Sequence, residues 1–478
     1  MRGLFSNKLL VIIRKYWPWL AIAGAGLVIH AGTAVLRLST FFPSPKLFDW
    51  SGFYASAWAI RQGLSPYNLP PDWLQNLQAA QAIPFTPPVI FNPPFWPWLL
   101  LPLTWFSYPV AASIWLAFNL ALLVWATLAL ADLAGWHGRA VRVALFFLVL
   151  TFGPVFLDLT LGQTSVVLLA AAMAIGRSLS RYRSGETCPE KGVWRTSSSR
   201  RKVGPALVVA LAGGLAVGVK LFPLTWLAGL PFLRRWRELI LAALVIVGIF
   251  ALGFWISPAA SQEYGHYLVT ERLVTASQVT SVDDQALIAW LDRLVRPQTF
   301  AVPGVTVEQR TTVEWTPPWT VDVRAVRWVG YALLVLLLLP CLYLLLRAAP
   351  EEQEGVFYLW VLYGLVALLH IERYNHVLLL PAMAWLWGHS LAEGDGHSLA
   401  EGDGHGKWQR QVVVMAYALV GLSRLTHLWA MLLPAPWGPL ASGFGLYAVL
   451  LLGMATAASL WPSHRASLTR GAAEYAPR

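Results

Sequence analysis

Five long apolar runs constrain this chain more than any other feature: residues 16–38, 110–134, 239–256, 326–346 and 438–461. Each comes near the ~20 residues that a helix needs to cross ~30 Å of hydrocarbon. A soluble fold could not bury what lies in and between them. The chain is 57% hydrophobic and 12% charged, whereas roughly a quarter of an ordinary globular chain is charged. A membrane barrel would alternate polar and apolar residues over ~10-residue segments, and no such alternation is present. The expected fold class is an all-α polytopic membrane protein.

The net charge of +11 does not point to nucleic acid, because the basic residues gather in short segments between apolar runs. Arg2, Lys8, Arg14 and Lys15 precede the first run. Residues 177–202 hold eight Lys/Arg against Glu186 and Glu190, and Arg234, Arg235 and Arg237 follow a short apolar stretch. Short Lys/Arg-rich loops mark the cytoplasmic side, so these segments and both termini are assigned inside, in a multi-pass protein of the plasma membrane. The first run is too long for a cleaved leader and is expected to stay as a helix. Cys188 and Cys341 fall in a basic loop and an apolar helix, so no disulfide is expected.

Fixing the basic loops inside divides the chain. It has an N-terminal segment with the first transmembrane helix (1–38), a first outer loop with juxtamembrane helices (39–109) and a transmembrane core (110–256) carrying the basic loop 177–202. An outer loop (257–325), C-terminal transmembrane helices (326–461) and a cytoplasmic tail (462–478) complete it. Two apolar stretches, 204–233 and 356–388, lie between inside loops and must go out and back as broken pairs. About twelve crossings result. The proline-rich 88–104, "PVIFNPPFWPWLLLPLT", is expected to lie along the interface or to re-enter it, since proline breaks helices; a true crossing is the alternative. The tandem "HSLAEGDG" at 389–404 reads as a polar inside loop rather than a metal-binding tract.

Ionisable groups at membrane depth are costly and each is a candidate for function. Here they recur at the outer ends of helices. Asp49 follows the first run. Asp158 and Gln163 lie in "LDLTLGQTS", Lys220 at the bend of one broken pair, and Glu372, Arg373, Asn375 and His376 at the bend of the other. Asp283, Asp284 and Gln285 stand in the outer loop. Irregular backbone at depth is tolerated where it lines a cavity. One outward-opening polar cavity accounts for all of these.

Such a cavity suits transfer of a sugar from a lipid phosphate. A carboxylate can take the proton of an acceptor hydroxyl, and Lys, Arg or protonated His can stabilise a departing phosphate. Trp50 and Tyr54 are candidate platforms for a sugar ring. Each residue also has a plainer role. Asp49 and Asp158 suit helix caps, Lys220 can snorkel to headgroups, Arg373 can pair with Glu372, and Gln163 can bond across helices.

The segments "FDWSGFYASAWAIRQGLSPYN", "PPFWPWLLLPLTW", "AASIWLAFNLALL", "LGQTSVVLLAAAMAI", "GGLAVGVKLFPLTWLAGLPFLRRWR" and "RYNHVLLLPAMAWL" run in order across about 45–390. Together they resemble glycosyltransferase family 87. The resemblance implies the GT-C fold and an inverting transfer of a hexose, most readily mannose, on the outer face of the membrane. The donor is a polyprenyl-phosphate sugar and the acceptor a lipid or glycan; membrane lipids are further partners, and nucleic acid is not one. It implies Asp49 as catalytic base, Lys220 and His376 at the donor phosphate and the Gly162–Gln163 pair near the sugar; Arg373, a cation at the same bend, is a further candidate for the phosphate. Trp50, Tyr54, Asp158 and Gln285 complete the expected sugar and acceptor contacts. The segment "HIERYNH" departs from the Ser/Trp-His-His pattern expected there, and "DDQALIAWLDRL" matches the family's Asn-Gln-Ser stretch only loosely. No cofactor and no metal are expected, since no Asp-x-Asp motif for a nucleotide sugar is placed. Two rival readings remain: a ligase or polymerase of lipid-linked glycans would rely on the large late loop, and a transporter or flippase would show internal repeats.

Overall fold

The computed structural model describes residues 2–180, 198–272, 284–303, 310–316, 321–368, 370–394, 405–425, 432–433 and 437–461. Most of the basic loop, Cys188, Asp283, the second half of the "HSLAEGDG" tandem and the tail beyond Trp461 lie outside these residues. The described chain is helical apart from one antiparallel ladder, β1 (Gln298–Pro303) with β2 (Arg310–Trp315), in which Gln298 opposes Trp315 and Pro303 opposes Arg310. The ladder is the one departure from the all-α expectation, and it sits in the polar 257–325 segment.

Helix α1 spans Arg2–Leu36. The loop after it carries α2 (Phe48–Arg61) and α3 (Pro71–Gln81). The proline-rich stretch forms only the five-residue α4 (Phe95–Leu99) and a 3-10 turn at Leu101–Trp105. At 1.5 Å per residue, neither could cross a bilayer. Helix α5 (Tyr108–Leu133) follows, with Pro109 in its first turn, where a missing N–H costs nothing.

Next come α6 (Arg139–Thr151) and α7 (Gly153–Leu161), bent by 63° at Phe152. Pro154 cannot continue the hydrogen-bond ladder across that break. The freed N–H of Gly153 donates instead to His30 Nδ1 at 2.9 Å, and His30 Nε2 donates to the Tyr417 carbonyl at 3.1 Å. A buried imidazole from α1 thus satisfies the backbone of a broken helix.

Helices α8 (Ser165–Ser180), α9 (Ser198–Val219), α10 (Leu224–Leu227), α11 (Trp236–Ile256) and α12 (Pro258–Tyr267) lead into the polar segment. Its last helix is α13 (Leu287–Val295). Helices α14 (Val323–Arg347), α15 (Gln353–Ala367), α16 (Leu380–Gly394), α17 (His405–Ser423), α18 (Trp437–Ser442) and α19 (Phe444–Leu460) complete the described chain.

Among the described residues, four helices are long and apolar enough to cross a membrane: Trp17–Leu36 within α1, α5, α11 and α14, or five if the bent pair α6–α7 counts as one. Ser165–Ser180, Gly204–Val219 and Phe444–Leu460 are apolar but shorter. The four long helices expose much of their apolar surface, including Val28, Val124, Val247 and Leu336, as lipid-facing helices do. Helix α15, in contrast, buries Phe357, Tyr358, Leu362 and Leu365 and forms the middle of the bundle.

Candidate active site

The site begins with a glycine. Helix α7 ends at Gly162, whose φ of +72° is a left-handed C-cap that glycine adopts without strain. A Cβ there would stand 2.6 Å from Trp50 Cβ and 2.9 Å from Leu47 Cβ. Only hydrogen at this position lets the α7–α8 turn lie against the start of α2. That contact brings Gln163, the next residue, beside Asp49.

Asp49 lies in the first turn of α2, behind an N-cap at Leu47, and makes no capping hydrogen bond. Its carboxylate turns to the bundle, where Oδ2 accepts from Gln163 Nε2 at 2.7 Å. The amide's other end, Oε1, accepts from Lys220 Nζ at 3.2 Å. Asp49, Gln163 and Lys220 therefore form one hydrogen-bonded line from three separate parts of the sequence.

Lys220 sits where α9 stops, two residues before "FP". The carbonyl of Val219, left free by the break, accepts from Asn92 Nδ2 at 2.7 Å, and the Asn92 carbonyl accepts from the Tyr67 hydroxyl at 2.6 Å. The lysine ammonium also lies over the Tyr374 ring, 4.6 Å from its centroid, a cation–π arrangement. Tyr374 belongs to the 3-10 turn Arg373–Leu379. That turn is tied to α8 by Ser165 Oγ, which donates to Asn375 Oδ1 at 3.2 Å.

Behind this wall stands a second cluster. His370 Nδ1 is 2.7 Å from Asp284 Oδ2, and Nε2 is 3.2 Å from Glu372 Oε1. Asp284 and Glu372 also form an antiparallel backbone bridge. Burial tends to lower the His370 pKa, but hydrogen bonds to Asp284 and Glu372 outweigh it and push the imidazole up to about 9. Glu372 shows the mirror effect. Burial would raise it, while His370, with Tyr374 and Lys220, holds it below the usual glutamate value. Asp49 is different: burial raises its carboxyl to about 6, Glu372 and Asp158 push the same way, and Gln163 and Lys220 only partly offset them.

Several other expected site residues are placed elsewhere. Trp50 is fully buried and stacks on Trp115 at 4.9 Å, and Tyr54 is buried with its hydroxyl donating to the Phe106 carbonyl at 2.7 Å. Neither presents a face to a sugar; both hold α2 against the bundle. Arg373 is buried and donates to the Ser423 carbonyl at 3.0 Å, while His376 is fully buried with its ring edge against Gly445. They point across the turn to α17 and α19, whereas Tyr374 between them points to Lys220. Gln285 donates from Nε2 to the Ser442 carbonyl at 3.1 Å. Asp158 accepts from the N–H groups of Ser165 and Val166, at 2.8 and 3.3 Å, and so caps α8.

Sequence reasoning missed Asn92, Tyr374 and His370. The signals were an asparagine amid prolines and a histidine two residues from an acid. Among the described residues, no group of three or more His, Cys, Asp or Glu is arranged to hold a metal ion.

Over residues 91–316 the chain matches glycosyltransferase family 87. The likeness is thus to a family of glycosyltransferases, and the apolar helices are those of a membrane protein. The match takes in Asn92, Asp158, Gln163, Lys220, Asp284 and Gln285, a little under half of the chain; Asp49 and the turn after His370 lie outside it. No curated protein and no solved structure matches the chain.

Proposed function

We propose that this family 87 chain transfers a hexose, mannose in the first instance, from a polyprenyl-phosphate donor to a lipid or glycan acceptor on the outer face of the plasma membrane. The observation that carries the reading is the hydrogen-bonded line Asp49–Gln163–Lys220. It holds a carboxylate at one end and an ammonium at the other, with a neutral amide between. Asp49 takes the proton of the acceptor hydroxyl, and the oxygen attacks the anomeric carbon. The bond to phosphate breaks on the opposite side, so the configuration inverts, and Lys220 meets the charge that develops on the leaving phosphate. Gln163 fixes the distance between base and cation.

The basic residues gathered near Arg139, Arg142 and Arg177 support an inside assignment for the far end of the bundle. The charged Arg142 and Arg177 converge there on Asp132, at 2.8 and 3.0 Å. The reading keeps a GT-C architecture of about twelve crossings with both termini inside, toward which the described residues supply four or five long apolar helices and three shorter ones. The decisive experiment is transfer from radiolabelled polyprenyl-phosphate mannose in membranes, comparing wild type with Asp49→Asn. Loss of a general base is expected to cost about 10²- to 10⁴-fold in rate. Unchanged turnover in the variant would remove Asp49 from the mechanism.

A further inference from the structure

His370 is more than a loop staple in its construction. Asp284 is fully buried and uses both carboxylate oxygens: Oδ1 accepts from the N–H groups of Ala286 and Ile371, at 3.0 and 2.9 Å, and Oδ2 meets the imidazole. The backbone N–H of Gln285 donates to the Ile371 carbonyl at 2.7 Å. These backbone bonds already join residues 284–286 to 371–372. The imidazole adds something they do not supply. With a carboxylate on each ring nitrogen, both nitrogens must carry a proton, so the ring is a cation between two anions. Its far partner, Glu372, is the acid whose charge acts on both Asp49 and Lys220.

We propose that His370 is a positioning residue for the transfer reaction, gripping Asp284 and Glu372 so that the charge of Glu372 stays fixed beside the Asp49–Gln163–Lys220 line. This rests on the reading of that line as the transfer site. Its consequence is that the polar 257–325 segment, which contributes Asp284, and the reacting groups are held by one shared imidazolium. The charged and titratable groups facing this cluster are Asp284 and Arg293 from the polar segment, Glu372 and Tyr374 from the turn, and Lys220 from the end of α9. Arg293 Nη1 donates to the Asp284 carbonyl.

The test compares wild type, His370→Gln and Glu372→Gln. Donor KM, kcat and their pH dependence are measured with polyprenyl-phosphate mannose, alongside thermal unfolding between about pH 6 and pH 10. Glutamine carries its two N–H donors on a single nitrogen and no charge, so it does not reproduce an imidazolium with one acid on each ring nitrogen. His370→Gln is expected to raise the donor KM roughly tenfold, as expected for losing one charge-assisted hydrogen bond, with a smaller change in kcat. The wild type is expected to lose activity as pH rises through about 9, and His370→Gln to lack that alkaline fall. The sign follows from the raised pKa: the imidazolium stabilises fully below its ordinary value and is lost above the folded one. Glu372→Gln, in which the partly exposed side chain keeps its size and loses its charge, is expected to share the KM change. A well-folded His370→Gln with wild-type donor KM and pH profile would overturn the proposal. If wild type unfolds with the alkaline loss but transfers nothing from the donor, the transfer reading fails and the positioning role falls with it.

Discussion

Asp49 can take a proton only when it has lost its own, so the environment of this one carboxyl sets the working pH. Burial raises it to about 6. Transfer is therefore expected to fall as pH drops through about 6, since protonation below that value removes the base. Lys220 favours the ionised form and Glu372 opposes it. Lys220→Met should accordingly move the acid limb of kcat/KM to higher pH, and Glu372→Gln should move it lower. A limb that stays in place in both variants would mean that another group is titrating. Trp50 and Tyr54 carry a related lesson. Their types suit a sugar platform, yet both rings are spent on packing, because which way a short helix turns its aromatic face depends on neighbours such as Trp115 and Tyr108.

At the scale of elements, the site is made by helix ends. Gly162 terminates α7 in a left-handed conformation and lets α2 approach. Gly162→Ala should cost about 1–2 kcal/mol in backbone strain alone, with the clash against Trp50 and Leu47 added. Lowered thermal stability together with loss of transfer is expected, whereas wild-type melting would deny the close approach. Asn92 closes the end of α9 through the Val219 carbonyl. Asn92→Ala leaves that carbonyl unsatisfied at a cost of about 1–3 kcal/mol, and displacement of Lys220 should appear as a raised donor KM. The breaks themselves were legible, since "LGQTS" and "KLFP" announce helix ends by glycine and proline. Which residues meet at them was legible only in part. Asp49, Gln163 and Lys220 could be gathered as scarce polar groups at helix ends. Sequence separations of 86 between Asp284 and His370, and of 127 between Asn92 and Val219, hide those pairings from any local pattern.

For the molecule as a whole, apolar runs gave the membrane-helical class directly, because composition fixes the solvent. One of the runs, 438–461, is nevertheless divided into α18 and α19, and the bend between α6 and α7 is a break that composition does not announce. Those interruptions are where polar side chains reach the interior, so the irregularities of the bundle and its candidate chemistry coincide. Binding at this place rather than merely near it is what matters. The most direct measurement is a structure of the protein with bound polyprenyl phosphate, locating the phosphate. It should lie ~3 Å from Lys220 Nζ, within hydrogen-bond distance, and on the side that leaves Asp49 open to an acceptor hydroxyl. A phosphate held instead by Arg373 and His376, with Lys220 and Asp49 untouched, would contradict the account.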